Sequence, residues 1–336
     1  MADKPRILSG MRPTGPLHVG HLEGALENYL RLQGDYDCFF MVADWHALTT
    51  GWTDVSGMRE NVLGMVADWL AVGLDPKKAV IFRQSRVLQH AELYTLFQMF
   101  TPIPWLERCP TYKEQIQEMP DKDLSSIGFL GYPLLQAADI LLYKAQAVPV
   151  GVDQVPHIEM TREVARRFNF QYCSSQPGDG KPAPVFPEPQ QMLTRFPKIP
   201  GTDGRKMSKS YGNSIELSCQ GKELEAKVRA MYTDPAKLRK DDPGHPDGCV
   251  VFAFHGVYSH AELPGLEADC KAGRLGCVDC KRRLKDRLAE RLAPIQERRA
   301  KIGEGQCRAA LEDGDCRAAA AAEATMAEVR SAMNLS

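Results

Sequence analysis

No run in this chain is apolar for long enough to cross a bilayer as a helix. Its first residues, Met1 to Leu8, lack the apolar stretch of a secretory leader, so a cytoplasmic location is expected. There is no GxxxxGK[ST] loop and no GxGxxG turn, which removes the two commonest glycine-rich phosphate cradles. Neither charge is in excess: 42 Lys and Arg against 43 Asp and Glu leave a net charge of −1. A polyanionic partner would therefore have to be met by a local basic surface, not by the chain as a whole. No internal repeat occurs, which excludes solenoids and propellers. Apolar residues are not short either, at 43%, so the chain is not of the disordered class.

What is present is length, cysteine and a rhythm. The 336 residues are enough for two domains, or one large domain with an appendage. Ten cysteines in a reducing compartment are expected to be thiols or metal ligands, not disulfides. Short apolar runs (Ile7-Leu8, Cys38 to Ala43, Ala79 to Phe82, Ala147 to Val150) alternate with helical stripes such as Leu22, Ala25, Leu26, Tyr29 and Leu30. Helices are expected over 17–32, 54–72, 90–100, 127–143 and 153–168, with Gly73 as a stop. That alternation predicts an α/β fold, a doubly wound parallel sheet of Rossmann type. Residues 101–125 read as an irregular insertion, and 173–204, rich in Pro and Gly, as loop. From Lys222 onward the pattern is helical, so a catalytic domain over 1–212 and a helical domain over 213–336 are expected.

In a doubly wound sheet, ligands bind at the carboxyl ends of the strands. Pro13, Gly15 and Pro16 set a turn after the first strand, and His18-Val19-Gly20-His21 follows at a helix start, where phosphate is favoured. Gly20 lets a nucleoside approach the backbone, and two imidazoles can donate to phosphoryl oxygens as charge develops. Far downstream lies Lys206-Met207-Ser208-Lys209-Ser210, two ammonium groups in a glycine-rich setting, suited to the outer phosphates of ATP. The pair HVGH and KMSKS resembles the signatures of the class I aminoacyl-tRNA synthetases. The resemblance implies activation of an amino acid by in-line attack of its carboxylate on ATP, with Mg2+, and transfer to tRNA; positioning and charge stabilisation carry such a reaction.

The amino acid is indicated by Gly131 to Tyr143. On a helix, Tyr132, Gln136, Asp139 and Tyr143 fall on one face among Leu, Ala and Ile. A buried carboxylate accepts hydrogen bonds and an indole N–H only donates. The segments YPLLQAADILLY and VPVGVDQVPHIEMTREVARRFN are similar to the tryptophanyl-tRNA synthetase family, over nearly all of residues 6–213. That similarity implies that Asp139 reads the indole N–H, that Tyr132 and Gln154 hold the amino group, and that His46 and Gln136 lie beside the amino acid. It implies further that Arg12, Pro13, Thr14, Gly20, His21, Gly151, Val152 and Asp153 line the ATP pocket. His18, Lys113, Lys206 and Lys209 would act on the phosphates, with Met207, Ser208 and Ser210 in the same loop. Arg12, HVGH and Gln136 depart from the commoner bacterial form and lean toward the tyrosine enzymes. A tyrosine enzyme is the nearest alternative; a nucleotidyltransferase and a catalytically silent RNA-binding relative are the others.

Cys249, Cys270, Cys277 and Cys280 follow the spacing C-x20-C-x6-C-x2-C, which suits zinc or an iron–sulfur cluster, with zinc the default on spacing alone. A subset of the tryptophan enzymes resembles this chain here, in GCVDCK, and in MRPTG and ADWHALTT; that resemblance implies a [4Fe-4S] cluster, with structural Zn2+ as the alternative. Lys271, Arg274, Lys281, Arg282, Arg283, Lys285 and Arg287 lie beside it, a candidate surface for tRNA phosphates. The family resemblance also implies a homodimer, with Ile127–Leu142 as candidate interface.

Overall fold

The computed structural model describes residues 4–118, 124–173, 182–193 and 199–335, with the side chains of 111, 115, 118 and 210 outside that set. Strand β1 (Arg6–Met11) turns into α1, which is built of Val19–His21, a π-helical turn Leu22–Leu26 and Glu27–Leu32. Next come β2 (Asp37–Val42), α2 (Asp44–Gly51), α3 (Met58–Val72), β3 (Ala79–Arg83) and α4 (Gln89–Gln98). After the segment holding α5 (Ile103–Glu107) and α6 (Pro110–Glu118), α7 (Ile127–Leu142), β4 (Ala147–Val150), α8 (Val155–Tyr172) and β5 (Gln190–Leu193) complete the sheet. The strand order is β3-β2-β1-β4-β5, and every pairing is parallel. This is the expected doubly wound sheet, with its order reversing between β1 and β4.

Strand β2 illustrates why both faces are covered. Cys38, Phe40 and Val42 join one apolar cluster with α1 and α3, while Phe39 and Met41 join the other with α4, α7 and α8. Alternate side chains point to opposite faces, so a strand buried on both reads as a continuous apolar run.

Of the two stretches expected to be irregular, the first is largely helical, while the second is loop as expected except for one strand. Pro104 and Pro110 sit in the first turns of α5 and α6, where a missing N–H costs nothing, so proline opens these helices. In the second stretch, Arg162 of α8 donates to the Pro189 carbonyl at 2.7 Å and to the Gln191 amide oxygen at 2.6 Å, and β5 is pinned to the sheet by this buried guanidinium. Of that stretch, residues 174–181 and 194–198 lie outside the described residues.

The remaining helices are α9 (Gly221–Arg229), α10 (Val250–Tyr258), α11 (Leu263–Lys271), α12 (Cys277–Arg299) and α13 (Glu304–Ala332). Helix α13 returns to the sheet and covers the edge strand β3. The Arg83 backbone N–H donates to Asp315 Oδ1 at 2.8 Å, and its guanidinium to Oδ2. A Cβ on Gly314 would lie 1.9 Å from the Ile81 carbonyl oxygen. Gly314→Ala is therefore expected to cost about 1–3 kcal/mol, measured by urea unfolding, because both elements would have to separate. Helix α7, the candidate interface, is mostly used inside the chain: Phe129, Leu134, Ile140, Leu141 and Leu142 are buried, and Ile127 is the exposed large residue at its start.

Candidate active site

The end of β1 and the end of β4 are neighbours in the sheet, so the turn carrying Arg12 to Leu17 lies beside Gly151, Val152 and Asp153 at the reversal point. Pro13 is buried, and Arg12, Thr14, Val152 and Asp153 are exposed. Asp153 folds back over Gly151, where a Cβ would meet its Oδ1 at 2.7 Å, and Gln154 Nε2 donates to Asp153 Oδ2.

Main-chain bonds bring the two distant motifs together. The Val19 N–H donates to the Ile215 carbonyl and the Leu217 N–H to the Leu17 carbonyl, both at 2.9 Å. The strand segment after KMSKS thus pairs with the start of HVGH. Met207 of KMSKS lies over Gly20, at 3.4 Å from where a Cβ would stand. The Lys209 ammonium lies over Gly15, at 3.3 Å on the same test, and Gly15 holds φ at +121°, which favours glycine. Asn213, which sequence reasoning missed, organises the loop. Its Oδ1 accepts from the Ser208 N–H at 2.8 Å, and its Nδ2 donates to the Lys206 carbonyl and to Asp203 Oδ1. Lys206 is exposed, the Ser210 side chain lies outside those described, and Lys113 stands exposed on α6.

Both imidazoles of HVGH are neutral at pH 7. Burial and then the nearby Lys209 charge hold His18 down to about 4; burial, His18 and Lys209 hold His21 well below its usual value. The rings stand 3.7 Å apart. The His18 N–H donates to His21 Nδ1 at 3.2 Å, whereas His18 Nδ1 is buried with no hydrogen-bond partner among the described residues. A buried polar atom left unpaired beside an ammonium is the mark of a site shaped for a ligand.

Two polar networks are built on helix α7. In the first, Asp139 is 1% exposed and takes His46 Nε2–H at 2.7 Å on Oδ2, His90 Nδ1–H at 2.7 Å on Oδ1, and Gln84 Nε2 at 2.9 and 3.1 Å on both. A carboxylate only accepts, so these contacts place protons on the named ring nitrogens, and His90 Nε2 stands 2.8 Å from the Tyr143 hydroxyl. Burial opposes the charge of Asp139, but the His46 and His90 hydrogen bonds and charges outweigh it and hold the carboxyl at about 2. In the second network, His157 Nδ1 donates to Gln136 Oε1 at 2.9 Å and its Nε2 faces the Tyr132 hydroxyl at 3.3 Å. Burial, then the His46 charge, hold His157 at about 4, which suits a ring with one donor and one acceptor partner. The four polar residues on one face of α7 are thus divided between two networks. Gln84 and His90, which complete the first network, lie outside the motifs; His157, which completes the second, lies inside VPVGVDQVPHIEMTREVARRFN, where the resemblance gives it no role.

Depressed histidines make stability depend on pH. His18 and His157 are lowered from 6.5 to about 4, so the unfolded chain takes up protons that the fold does not. Their stabilisation is complete above about pH 6.5 and is lost as pH falls toward 4. Urea unfolding at pH 7, 6 and 5 is expected to give a falling free energy, with a shallower fall in His157→Gln.

The four late cysteines line one pocket together with Val251, Leu266 and Leu275. Burial, then the other three thiols, push Cys280 up to about 12. Among the described residues, however, no three His, Cys, Asp or Glu side chains stand in the arrangement of a formed metal centre. The basic residues beside them are largely paired: Lys271 with Glu267, Arg274 with Asp269, Arg282 with Asp279, Lys285 with Asp286 and Arg287 with Glu262. Lys281 donates to the Arg229 and Met231 carbonyls.

A doubly wound sheet whose reversal point joins HVGH to KMSKS defines a class I synthetase. The chain belongs to that family: the model for class I tRNA synthetases (W and Y) matches residues 1–293. Within it, the tryptophan–tRNA ligase of Thermotoga maritima is 52% identical over 336 aligned residues, spanning 98% of this chain and 99% of that one. That of Ralstonia nicotianae is 44% identical, spanning 98% of each. The solved tryptophanyl-tRNA synthetase of Campylobacter jejuni, complexed with ADP and tryptophan, superposes with a TM-score of 0.85 at 29% identity, covering 98% of this chain and 100% of that one. A tyrosyl-tRNA synthetase of Archaeoglobus fulgidus shares the fold at 21% identity and a TM-score of 0.66, covering 88% of this chain and 90% of that one.

Proposed function

We propose that this protein is a tryptophan–tRNA ligase: it joins L-tryptophan to ATP, releasing pyrophosphate, and passes the tryptophanyl group to tRNA(Trp). The observation that carries this is the main-chain junction of HVGH and KMSKS at the sheet's reversal point, beside a buried acceptor-only carboxylate. In the first step a tryptophan carboxylate oxygen attacks the α-phosphorus and the bond to pyrophosphate breaks. In the second a tRNA ribose hydroxyl attacks the acyl carbon and AMP leaves. Lys206 and Lys209 meet the charge gathering on the leaving pyrophosphate, and His18 and His21, neutral, donate to phosphoryl oxygens. Mg2+ accompanies the triphosphate. Arg12, Pro13, Thr14, Gly20, Gly151, Val152 and Asp153 line the nucleotide side; Tyr132, Gln136, Gln154 and His46 line the amino acid side. Pyrophosphate exchange tests the assignment: tryptophan is expected to support it far better than tyrosine, and the opposite preference overturns it.

Asp139 reads the indole. Its four described hydrogen bonds already fill the roughly four acceptor sites of a carboxylate, so an indole N–H has to take the place of one. His46 is the partner nearest the surface, with a side chain 11% exposed against 0% for His90. It is the one that yields.

The four-cysteine pocket holds a [4Fe-4S] cluster, with zinc as the alternative. Four soft thiolates suit either. Their placement around one pocket supports a shared centre, and so does the bare face of Gly244, where a Cβ would crowd Cys270 Sγ at 2.5 Å. The group would pin Cys249, at the start of α10, to α11 and α12 and so order the surface offered to tRNA; the ion pairs there are exposed and readily exchanged for phosphates. Protein purified without oxygen is expected to contain iron and absorb visible light, and Cys277→Ser to lose both while still activating tryptophan. Zinc with no absorption selects the alternative; neither metal refutes the site. A cytoplasmic homodimer fits the exposed Leu88, Met99, Ile103 and Ile127, and no helix among the described residues is long and apolar enough to cross a membrane.

A further inference from the structure

The Asp139 carboxylate is held from two sides, and the sides differ. Gln84 Nε2 reaches both oxygens, at 2.9 and 3.1 Å, so it does not choose between them. The two histidines do: His90 Nδ1 bonds Oδ1 and His46 Nε2 bonds Oδ2, each at 2.7 Å. His46 is the ring nearer the surface, so Oδ2 is the oxygen that an indole N–H can reach. Once His46 has left Oδ2, the Oδ1 side decides whether the carboxylate stays where it is.

On that side a second bond stands behind the first. His90 Nε2 lies 2.8 Å from the hydroxyl of Tyr143. Tyr143 caps the C-terminal end of α7, one turn beyond Asp139, so this helix supplies both ends of the chain of bonds and α4 supplies the ring between them. A hydroxyl both donates and accepts, so the bond holds whether the His90 ring is neutral or charged. Aromatic rings enclose the pair. Phe82 of β3 lies nearly parallel to His90, with centroids 6.0 Å apart and planes at 18°, and Phe82 and Phe39 pack on Tyr143 at 5.2 and 4.7 Å. His90 and Tyr143 are fully buried, and side chains in so close-packed an interior keep one rotamer.

We propose that His90 is a positioning residue for the selection of tryptophan: backed by Tyr143, it fixes Asp139 Oδ1 and thereby holds Oδ2 where the indole N–H docks. This rests on Asp139 reading the indole, and it names the two buried side chains that make the reading sharp. A substrate without the N–H leaves a fixed Oδ2 short of a partner, which is costly. With the brace loosened, the carboxylate turns about its own side-chain bonds to find another donor, and that cost shrinks.

The test is the ratio of kcat/KM in pyrophosphate exchange for tryptophan over its benzothiophene analogue, which has sulfur in place of the N–H, measured on the whole protein alongside thermal unfolding. His90→Leu removes both bonds and is expected to lower that ratio about tenfold, the worth of one net hydrogen bond to a charged group. Tyr143→Phe and His90→Asn each keep a donor for Asp139 Oδ1 and lose the brace behind it; both are expected to lower the ratio about threefold. Adding Tyr143→Phe to His90→Leu is expected to change the ratio no further, because Tyr143 acts through His90. The KM for ATP is expected to stay as in the wild type. If His90→Leu does not fold, the two milder variants decide. A wild type that prefers tyrosine, or does not discriminate against the analogue, fails the reading of Asp139 and takes the proposal with it. A selective wild type whose folded His90 and Tyr143 variants are equally selective overturns the proposal alone, as does a loss confined to thermal stability, or a Tyr143→Phe effect that persists in His90→Leu.

Discussion

Lys209→Ala is expected to lower tryptophan-dependent pyrophosphate exchange about 100- to 1,000-fold, the usual cost of removing one preorganised charge from a developing anion. The ammonium is half-buried and lies over Gly15, in the turn before HVGH. Lys209→Arg is not expected to restore activity fully, because a planar guanidinium does not replace a compact ammonium point charge. Burial, against the opposing pull of Glu216 and Asp68, sets this lysine at about 8. Its charged form binds ATP, so the KM for ATP is expected to rise as pH passes above about 8 in the wild type and to stay flatter there in Lys209→Ala. Steady-state exchange over pH 6.5 to 9 measures both effects. An unchanged rate in Lys209→Ala would remove KMSKS from the mechanism.

Asp139→Ala is expected to lower kcat/KM for tryptophan at least about 1,000-fold, since a site built around one substrate hydrogen bond discriminates strongly by it. The same change strips three buried donors, on His46, His90 and Gln84, of their acceptor and is expected to cost about 3–5 kcal/mol of stability. Activity and folding therefore need separate readouts. Substrate choice supplies one: the wild type should reject the benzothiophene analogue of tryptophan, which has sulfur where the indole has N–H. Any folded Asp139 variant should lose that discrimination. Equal discrimination by wild type and variant would show that Asp139 does not read the indole and serves only the buried network.

These two residues were legible for different reasons. Lys209 belongs to a pentapeptide whose chemistry is local: two ammonium groups among glycines indicate phosphate wherever the loop ends up. Asp139 stood out because a carboxylate among Leu, Ala and Ile on a helix needs partners. Of its partners only His46, in ADWHALTT, stood out; Gln84 follows β3 and His90 opens α4, and both look ordinary in their own stretches. The same holds for Asn213 under KMSKS and for Arg162, which makes a strand out of a Pro-rich segment. The prolines near 102–110 misled in the opposite direction, because a proline in the first turn of a helix reads like a loop until the helix is seen.

The sequence by itself determined the parallel α/β layering, the four strands with uninterrupted apolar runs, the helical second part, and the two motifs that name the chemistry. Each of these depends on side-chain period or on composition within one stretch, and such information is local. Only the tertiary structure decided how the motifs meet, through bonds between residues some two hundred apart, and which donors surround Asp139. It also decided that α13 returns to close the sheet edge over Gly314, and that four cysteines from three helices face one pocket. Those are outcomes of packing: a hydrogen-bond partner or an opposing charge is chosen by where the chain comes back, and no local pattern records it.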